Sequence, residues 1–452
     1  MHSSNDVFPL PLVAFERYML ADDRADYPMT FLMGLRLSGT VDRQAMEESL
    51  DEALLCHPLL RAVVDGNATR RPCWVAAKDA ATFDWEMASV PLPAGVSEGI
   101  DLTTRPGLRA WARQGDKCVE LTFQFHHTCC DGIGAVRFLT DLLRFYANRT
   151  ANEEDRPVPC PTDVGRLGER ARLGRHDESI FFRLRALLKT LPMTIKFITR
   201  RPRPLVPVPV DSEKPAECLS PHGILHVELG EEDTRRLRDA CRREGVTLND
   251  RLLRDMFLTI ADWNRRSGKN SHRGWLRVLM PTNMRSPDDD AMPAANMVSM
   301  CFLTRKTGEC EYSEQLMRGI HRETFTIKRI RRGLYFIRVI EAGLALCGKM
   351  PDSLVGRRCR ATAVLSNLGD IGHRLADTFP CRRGRIVAGN LMLEGIMLAP
   401  PIRPNTTTAL AVCSYADRLN VSLLCDRQLF SPQQTEQFMR DYTDRLHAPS
   451  GG

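Results

Sequence analysis

The chain has 452 residues, 63 basic against 56 acidic, a net charge of +7 and 43% hydrophobic residues. That length exceeds what one hydrophobic core usually organises, so two domains of about 200 residues each are expected. The modest basic excess, without a recognised binding module or an aromatic-studded basic strip, argues against nucleic acid as a partner.

The N-terminal apolar residues are broken by Glu16, Arg17, Asp22 and Asp23, which makes a poor signal peptide, and no apolar run reaches the length of a membrane span. The 15 cysteines are scattered with no Cys-x-x-Cys, as free thiols in a reducing compartment would be. A cytoplasmic protein is expected, in which Asn-x-Ser/Thr triplets such as 67–69 carry no meaning. Residues 34–39 read as a strand, and Met46, Leu50, Ala53 and Leu54 fall at helical spacing after Val41-Asp42.

Val119, Leu121, Phe123 and Phe125 alternate, so a strand ends in His126 and His127, with His127 on the apolar face and His126 beside Gln124. After Gly132 the spacing becomes helical through Ile133, Val136, Leu139, Leu143 and Tyr146. An imidazole at such a strand end, oriented in a water-poor crevice, can take a proton from a hydroxyl, amine or thiol as it attacks a carbonyl. The structural alternatives are a packed core histidine and an Asp131 that only caps the helix. Cys129 and Cys130 beside two histidines raise zinc, but adjacent extended residues point opposite ways and do not converge on a tetrahedral ion, so no metal is expected.

From Ile180 to Ile198 apolar residues recur at helical spacing among basic ones, and 180–203 reads either as a helix packed on the core or as peripheral contact with an anionic membrane. Arg201 to Pro209 is proline-rich, and 201–222 is expected to be a linker between an N-terminal half, 1–200, and a C-terminal half, 223–452. Thr247 with Asp250 forms a capping-box-like start to an apolar helix that includes Leu252, Leu253, Met256, Phe257 and Ile260.

His126-His127-x-x-x-Asp131-Gly132 resembles the signature of the acyltransferase superfamily that holds chloramphenicol acetyltransferase, peptide-synthetase condensation domains, alcohol acyltransferases and wax ester synthases. His57-Pro58-Leu59-Leu60-Arg61, Arg105 to Arg109, Thr247-x-Asn249-Asp250, Met280 to Arg285, Asn296 to Ser299 and Ser366-Asn367-Leu368-Gly369 follow in the family's order. The plant-type Asp-Phe-Gly-Trp-Gly string is absent, which points to bacterial relatives. The resemblance implies an α/β fold of two chloramphenicol-acetyltransferase-like halves, each a mixed sheet with helices, around a V-shaped cleft and tunnel.

It also implies roles. His127 would be the general base, Asp131 would pair with Arg285 to hold the turn, Gly132 would leave room for the thioester, and His126 would support packing. Ser366 or Asn367 would donate to the oxyanion or line the tunnel, unless the pair only forms a turn. The expected activity is transfer of an acyl group from coenzyme A or a carrier protein to a hydroxyl or amine, with no permanently bound cofactor. The competing readings are an amide-forming condensation catalyst on carrier-bound substrates, a catalytically silent scaffold, and a zinc hydrolase.

Overall fold

A computed structural model describes residues 7–65, 71–173, 195–210, 222–268 and 274–448. The N-terminal half supplies β1 (Leu10–Pro11), β2 (Thr30–Gly39), β3 (Ala62–Val64), β4 (Cys73–Ala76), β5 (Phe83–Met87), β6 (Leu108–Gln114) and β7 (Cys118–His126). Its helices are α1 (Ala14–Asp22), α2 (Arg43–Cys56) and α3 (Gly132–Thr150). The C-terminal half holds β8 (Ile224–Leu229), β9 (Trp275–Asn283), β10 (Val298–Lys306), β11 (Ala363–Asp370), β12 (Cys381–Arg382), β13 (Arg385–Ala388), β14 (Leu391–Ala399), β15 (Thr408–Tyr415) and β16 (Arg418–Cys425). Its helices are α4 (Glu231–Glu244), α5 (Leu248–Arg266), α6 (Ser313–Arg329), α7 (Gly333–Cys347), α8 (Asp352–Val355), α9 (Ile371–Ala376) and α10 (Pro432–His447).

Each half is a mixed sheet backed by helices. The first sheet runs β12-β13-β14-β2-β7-β6-β5, the second β10-β9-β11-β15-β16-β8, and a small third sheet β1-β4-β3. In the first, the alternating apolar residues of β7 face α3, where Phe123 and Phe125 meet the Phe138 ring edge-on at 6.0 and 5.9 Å. In the second, α5 and α10 cover one face, with Trp263 packed edge-on against Phe438 at 5.3 Å. The capping box predicted at Thr247 is formed, its hydroxyl accepting from Asp250 N while the Asp250 carboxylate accepts from Thr247 N.

Two features bear on the expected halves, 1–200 and 223–452, and on the segment 201–222 between them. Strands β12 to β14 lie at 381–399, yet β14 pairs antiparallel with β2, so part of the C-terminal chain completes the N-terminal sheet. Pairing between residues so distant leaves no local mark on sequence periodicity. The proline-rich segment, over its described part 201–210, is no free linker. Leu205 and Val208 are buried in the C-terminal core, and Trp263 Nε1 and Gln434 Nε2 donate to the carbonyls of Val206 and Val208. Proline removes donors but leaves carbonyls, and these are satisfied by side chains.

Residues 174–194, which carry most of the basic amphipathic stretch, lie outside the described residues. Its end, 195–199, is a short helix with Ile195 and Ile198 exposed. Among the described residues no helix is long and apolar enough to cross a membrane.

Candidate active site

Strand β7 stops at His126, and residues 127–129 turn into α3. The alternation therefore ends one residue earlier than the sequence pattern indicates, and His126 is the wholly buried member of the pair while part of His127 stays accessible. The His127 ring nevertheless lies on the apolar side, its edge 5.1 Å from the Phe31 ring, which stacks on Phe125. Its main-chain N–H donates to the Met29 carbonyl at 2.7 Å.

The His127 ring lies beside its own main-chain carbonyl. Loss of hydration holds this imidazole below the ordinary histidine value, against the opposing pull of that carbonyl and of the Asp131 charge. The ring is neutral at neutral pH. Asn296, from the loop before β10, donates to the same carbonyl at 2.5 Å and lies 3.5 Å from Nδ1.

Asp131 does two jobs at once. Its Oδ1 caps α3 by accepting from Gly134 N at 2.8 Å. Its Oδ2 accepts from Arg285 Nη1 at 2.8 Å and from Met297 N at 2.7 Å. Arg285 Nη2 also donates to the Ala295 carbonyl at 2.9 Å. The carboxylate is almost inaccessible and the guanidinium only slightly exposed. The pair thus clamps the 295–297 loop of one half onto the helix start of the other, and Asn296 of that loop reaches the His127 carbonyl.

A buried histidine outside the motif finishes the clamp. His57 Nδ1 accepts from Ala294 N at 2.8 Å while Nε2 lies 3.1 Å from Asp141 Oδ2, both side chains fully buried. Burial keeps the His57 ring below its usual pKa despite Asp141, so it is a neutral, positioning histidine.

Gly132 packs against the other half. A Cβ there would lie 3.0 Å from Leu368 Cδ2, so the space beside it is filled by the end of β11. Gly107, in the Arg105 to Arg109 string, is likewise a close approach, because a Cβ would fall on the sulfur of Cys129. The Cys129 and Cys130 thiols are buried and pushed well above their ordinary pKa by loss of hydration, which keeps both protonated. Among the described residues no three metal-ligating side chains cluster.

Ser366 and Asn367 sit on β11 and point to opposite faces. Leu365 belongs to the helix-covered core and Val364 to the cluster on the other face, so Asn367 turns toward α5 and Ser366 away from it. The Asn367 amide is committed, donating to Asn249 Oδ1 at 3.3 Å and accepting from Gly369 N at 2.9 Å. Ser366 shares its face with Leu368, the residue against Gly132.

Sequence reasoning missed the segment 22–29. Asp23 Oδ2 lies 3.3 Å from His126 Nε2, and His126 Nδ1 accepts from Thr128 N at 3.1 Å, which fixes the ring as an Nε2–H tautomer beside the carboxylate. Burial works to raise the Asp23 carboxyl, but His126 and the Met29 N–H outweigh it and hold it below its usual range. The neighbours of Asp23 face the other half. Asp22 pairs with Arg403, Arg24 donates to the Val355 carbonyl, Asp26 accepts from Arg357 at 2.6 Å and Tyr27 donates to Asp426 at 2.7 Å. Only the acidic character of 22–26 hinted at this.

A cavity of about 190 Å³ opens between the halves, with Pro28 and Thr30 on one wall and Ile224, Pro401 and Asp426 on the other. Those two residues flank Met29, the acceptor of the His127 N–H.

No family model matches the chain. An uncharacterised protein of Mycobacterium tuberculosis is 25% identical over 378 residues, covering 80% of this chain and 83% of that protein. Trichothecene 15-O-acetyltransferase TRI3 from Fusarium sporotrichioides superposes with a TM-score of 0.66 at 12% identity, over 96% of this chain and 94% of that one. The starter condensation domain of rhizomide synthetase, in complex with C8-CoA, gives 0.65 at 14% identity, over 98% and 94%. The chain thus has, end to end, the two-halved α/β fold that condensation domains share with this acetyltransferase.

Proposed function

We propose that the protein is an acyltransferase that moves an acyl group from a thioester of coenzyme A or a carrier protein to a hydroxyl or amine. The observation that carries this reading is the partly accessible His127 ring, set edge-on to Phe31 and held at its main chain by Met29 and Asn296 at the junction of the halves. In the proposed step the neutral His127 imidazole takes the acceptor's proton as the acceptor's oxygen or nitrogen bonds to the thioester carbonyl carbon. The tetrahedral oxyanion accepts a hydrogen bond from Ser366. The carbon–sulfur bond then breaks, and the leaving thiolate takes the proton back from the imidazolium. Asp131 and Arg285 position the turn without touching the reacting atoms.

The test is release of free coenzyme A from an acyl-CoA series against a panel of alcohols and amines. His127→Ala should lower turnover by about a hundred to ten thousandfold with an unchanged melting temperature. Near-full turnover in that variant rejects the assignment. The likeness to a starter condensation domain supports a second reading, amide formation on carrier-bound substrates. Acyl transfer from a loaded carrier protein to an amine, with none from acyl-CoA, would select it. The exposed Ile195 and Ile198 beside Lys196 and Arg200 support peripheral membrane contact through 180–203, which absence of binding to anionic vesicles at low salt would remove.

A further inference from the structure

A second cavity, of about 560 Å³, lies on the face of the C-terminal sheet opposite α5 and α10, between β10, α7 and residues 196–200. Its size falls in the range of small-molecule sites, roughly 300–1,000 Å³. The walls are apolar. Phe197 packs on Phe302 at 4.9 Å, Phe302 on Phe336 at 5.9 Å, and Met300 and Val339 complete the lining.

The charged lining is one-sided. Lys196, Arg200, Arg305 and Arg332 stand against a single carboxylate, Glu323. That carboxylate is already shared between Arg305 at 2.8 Å and Arg332 at 3.2 Å. Behind Thr304 lies a fifth cation, Arg277, only 1% exposed. Among the described residues its hydrogen bonds go to neutral acceptors, Thr304 Oγ1 and the carbonyls of Arg360, Phe197 and Arg200. Among the described residues no carboxylate comes within ion-pairing distance of it. Burial has drawn this guanidinium down to about 10, with the Cys359 thiol opposing and the Arg200 charge adding to the fall.

The anchor explains the geometry. The Arg277 guanidinium sits 4.1 Å from the centre of the Phe197 ring and holds the 197 and 200 carbonyls, so it pins a basic segment over an apolar cavity. A buried cation with no acid among its described neighbours is an unfavourable arrangement that a bound anion would relieve.

We propose that this cavity binds an anionic amphiphile, with its hydrocarbon tail among Met300, Phe302, Phe336 and Val339 and its carboxylate or phosphate head at Lys196, Arg200, Arg305 and Arg332. The inference rests on the cavity and not on acyl transfer. It is tested by calorimetric titration of the full chain at low salt with dodecanoate, dodecyl phosphate and uncharged dodecanol, each below its aggregation limit. At least one of the two anions should bind, the better of them naming the head group, with dodecanol at least tenfold weaker. Lys196→Gln and Arg200→Gln should each weaken the better anion by roughly tenfold, as expected for one partly screened charge pair. Val339→Trp, checked for an unchanged melting temperature, should abolish binding by filling the tail site. His127→Ala should bind as the wild type does, so failure of the catalytic reading leaves this one standing. Dodecanol binding as tightly as dodecanoate and dodecyl phosphate, binding by neither anion, or full affinity in a folded Val339→Trp variant would overturn it.

Discussion

Arg285 and Asp131 can be dissected by a double-mutant cycle, because their interaction is nearly dry and its other contacts are known. In Arg285→Ala the Asp131 carboxylate keeps the N–H groups of Gly134 and Met297, so the loss sits at the lower end for a broken buried pair, about 3 kcal/mol. Asp131→Ala removes a helix cap worth about 1 kcal/mol and a charge-assisted main-chain bond worth about 1.5 kcal/mol. It also strands Arg285, which retains the Ala295 carbonyl and 12% exposure, for a total of about 4 kcal/mol. Because both variants lose the same ion pair, the double variant should cost about 4 to 5 kcal/mol instead of about 7 kcal/mol, a coupling of about 2 to 3 kcal/mol. Urea unfolding gives these values from midpoints, provided the slope m is unchanged. Additivity within about 0.5 kcal/mol would refute the claim that the clamp is one shared interaction.

Further outcomes can be checked separately. Because burial holds His127 below 6.5, the acid limb of kcat/KM should have its midpoint below 6.5, the rate falling as the ring protonates; a midpoint above 6.5 contradicts the assigned environment. Asp23→Ala leaves the Met29 N–H without its acceptor and removes the carboxylate beside His126, so unfolding free energy should drop by about 1 to 3 kcal/mol. Its kcat should fall too, with Asp23→Glu restoring part of it, whereas an unaltered kcat would show that the strap does not reach the base. The Asp141 carboxyl is pushed up by burial but held below its ordinary 3.8 by His57, Arg137 and Thr162. A depressed carboxylate stabilises fully above the unfolded value and ceases to do so as pH falls through the folded one. Stability should therefore decline as pH drops below about 4, and Asp141→Asn should be less stable at neutral pH but flatter across that window, as followed by urea midpoints.

The elements legible in the sequence are those whose own periodicity determines them. Strand β7 and helix α3 announce themselves because Phe123, Phe125, Val136 and Leu139 face one core, and the Thr247 cap is a local exchange of hydrogen bonds. The pairing of Arg285 with Asp131 was reachable only through family resemblance, since nothing near Arg285 distinguishes it from a surface arginine. The His127 turn departs from the strand pattern because the chain must leave the sheet to start α3. Asp23 and Arg277 were invisible for a related reason. One finds its partner, His126, across the fold, and the other is buried by a segment far along the chain, so neither leaves a trace in spacing.

The pairing of β14 with β2 has a consequence for biogenesis. Ser38 waits for Met392 as its neighbour, so during synthesis β2 remains an open sheet edge until almost the whole polypeptide has left the ribosome. The early-made residues that include both motif histidines therefore cannot mature as an autonomous fragment, and a nascent chain halted before residue 391 would present that edge to chaperones or to other chains.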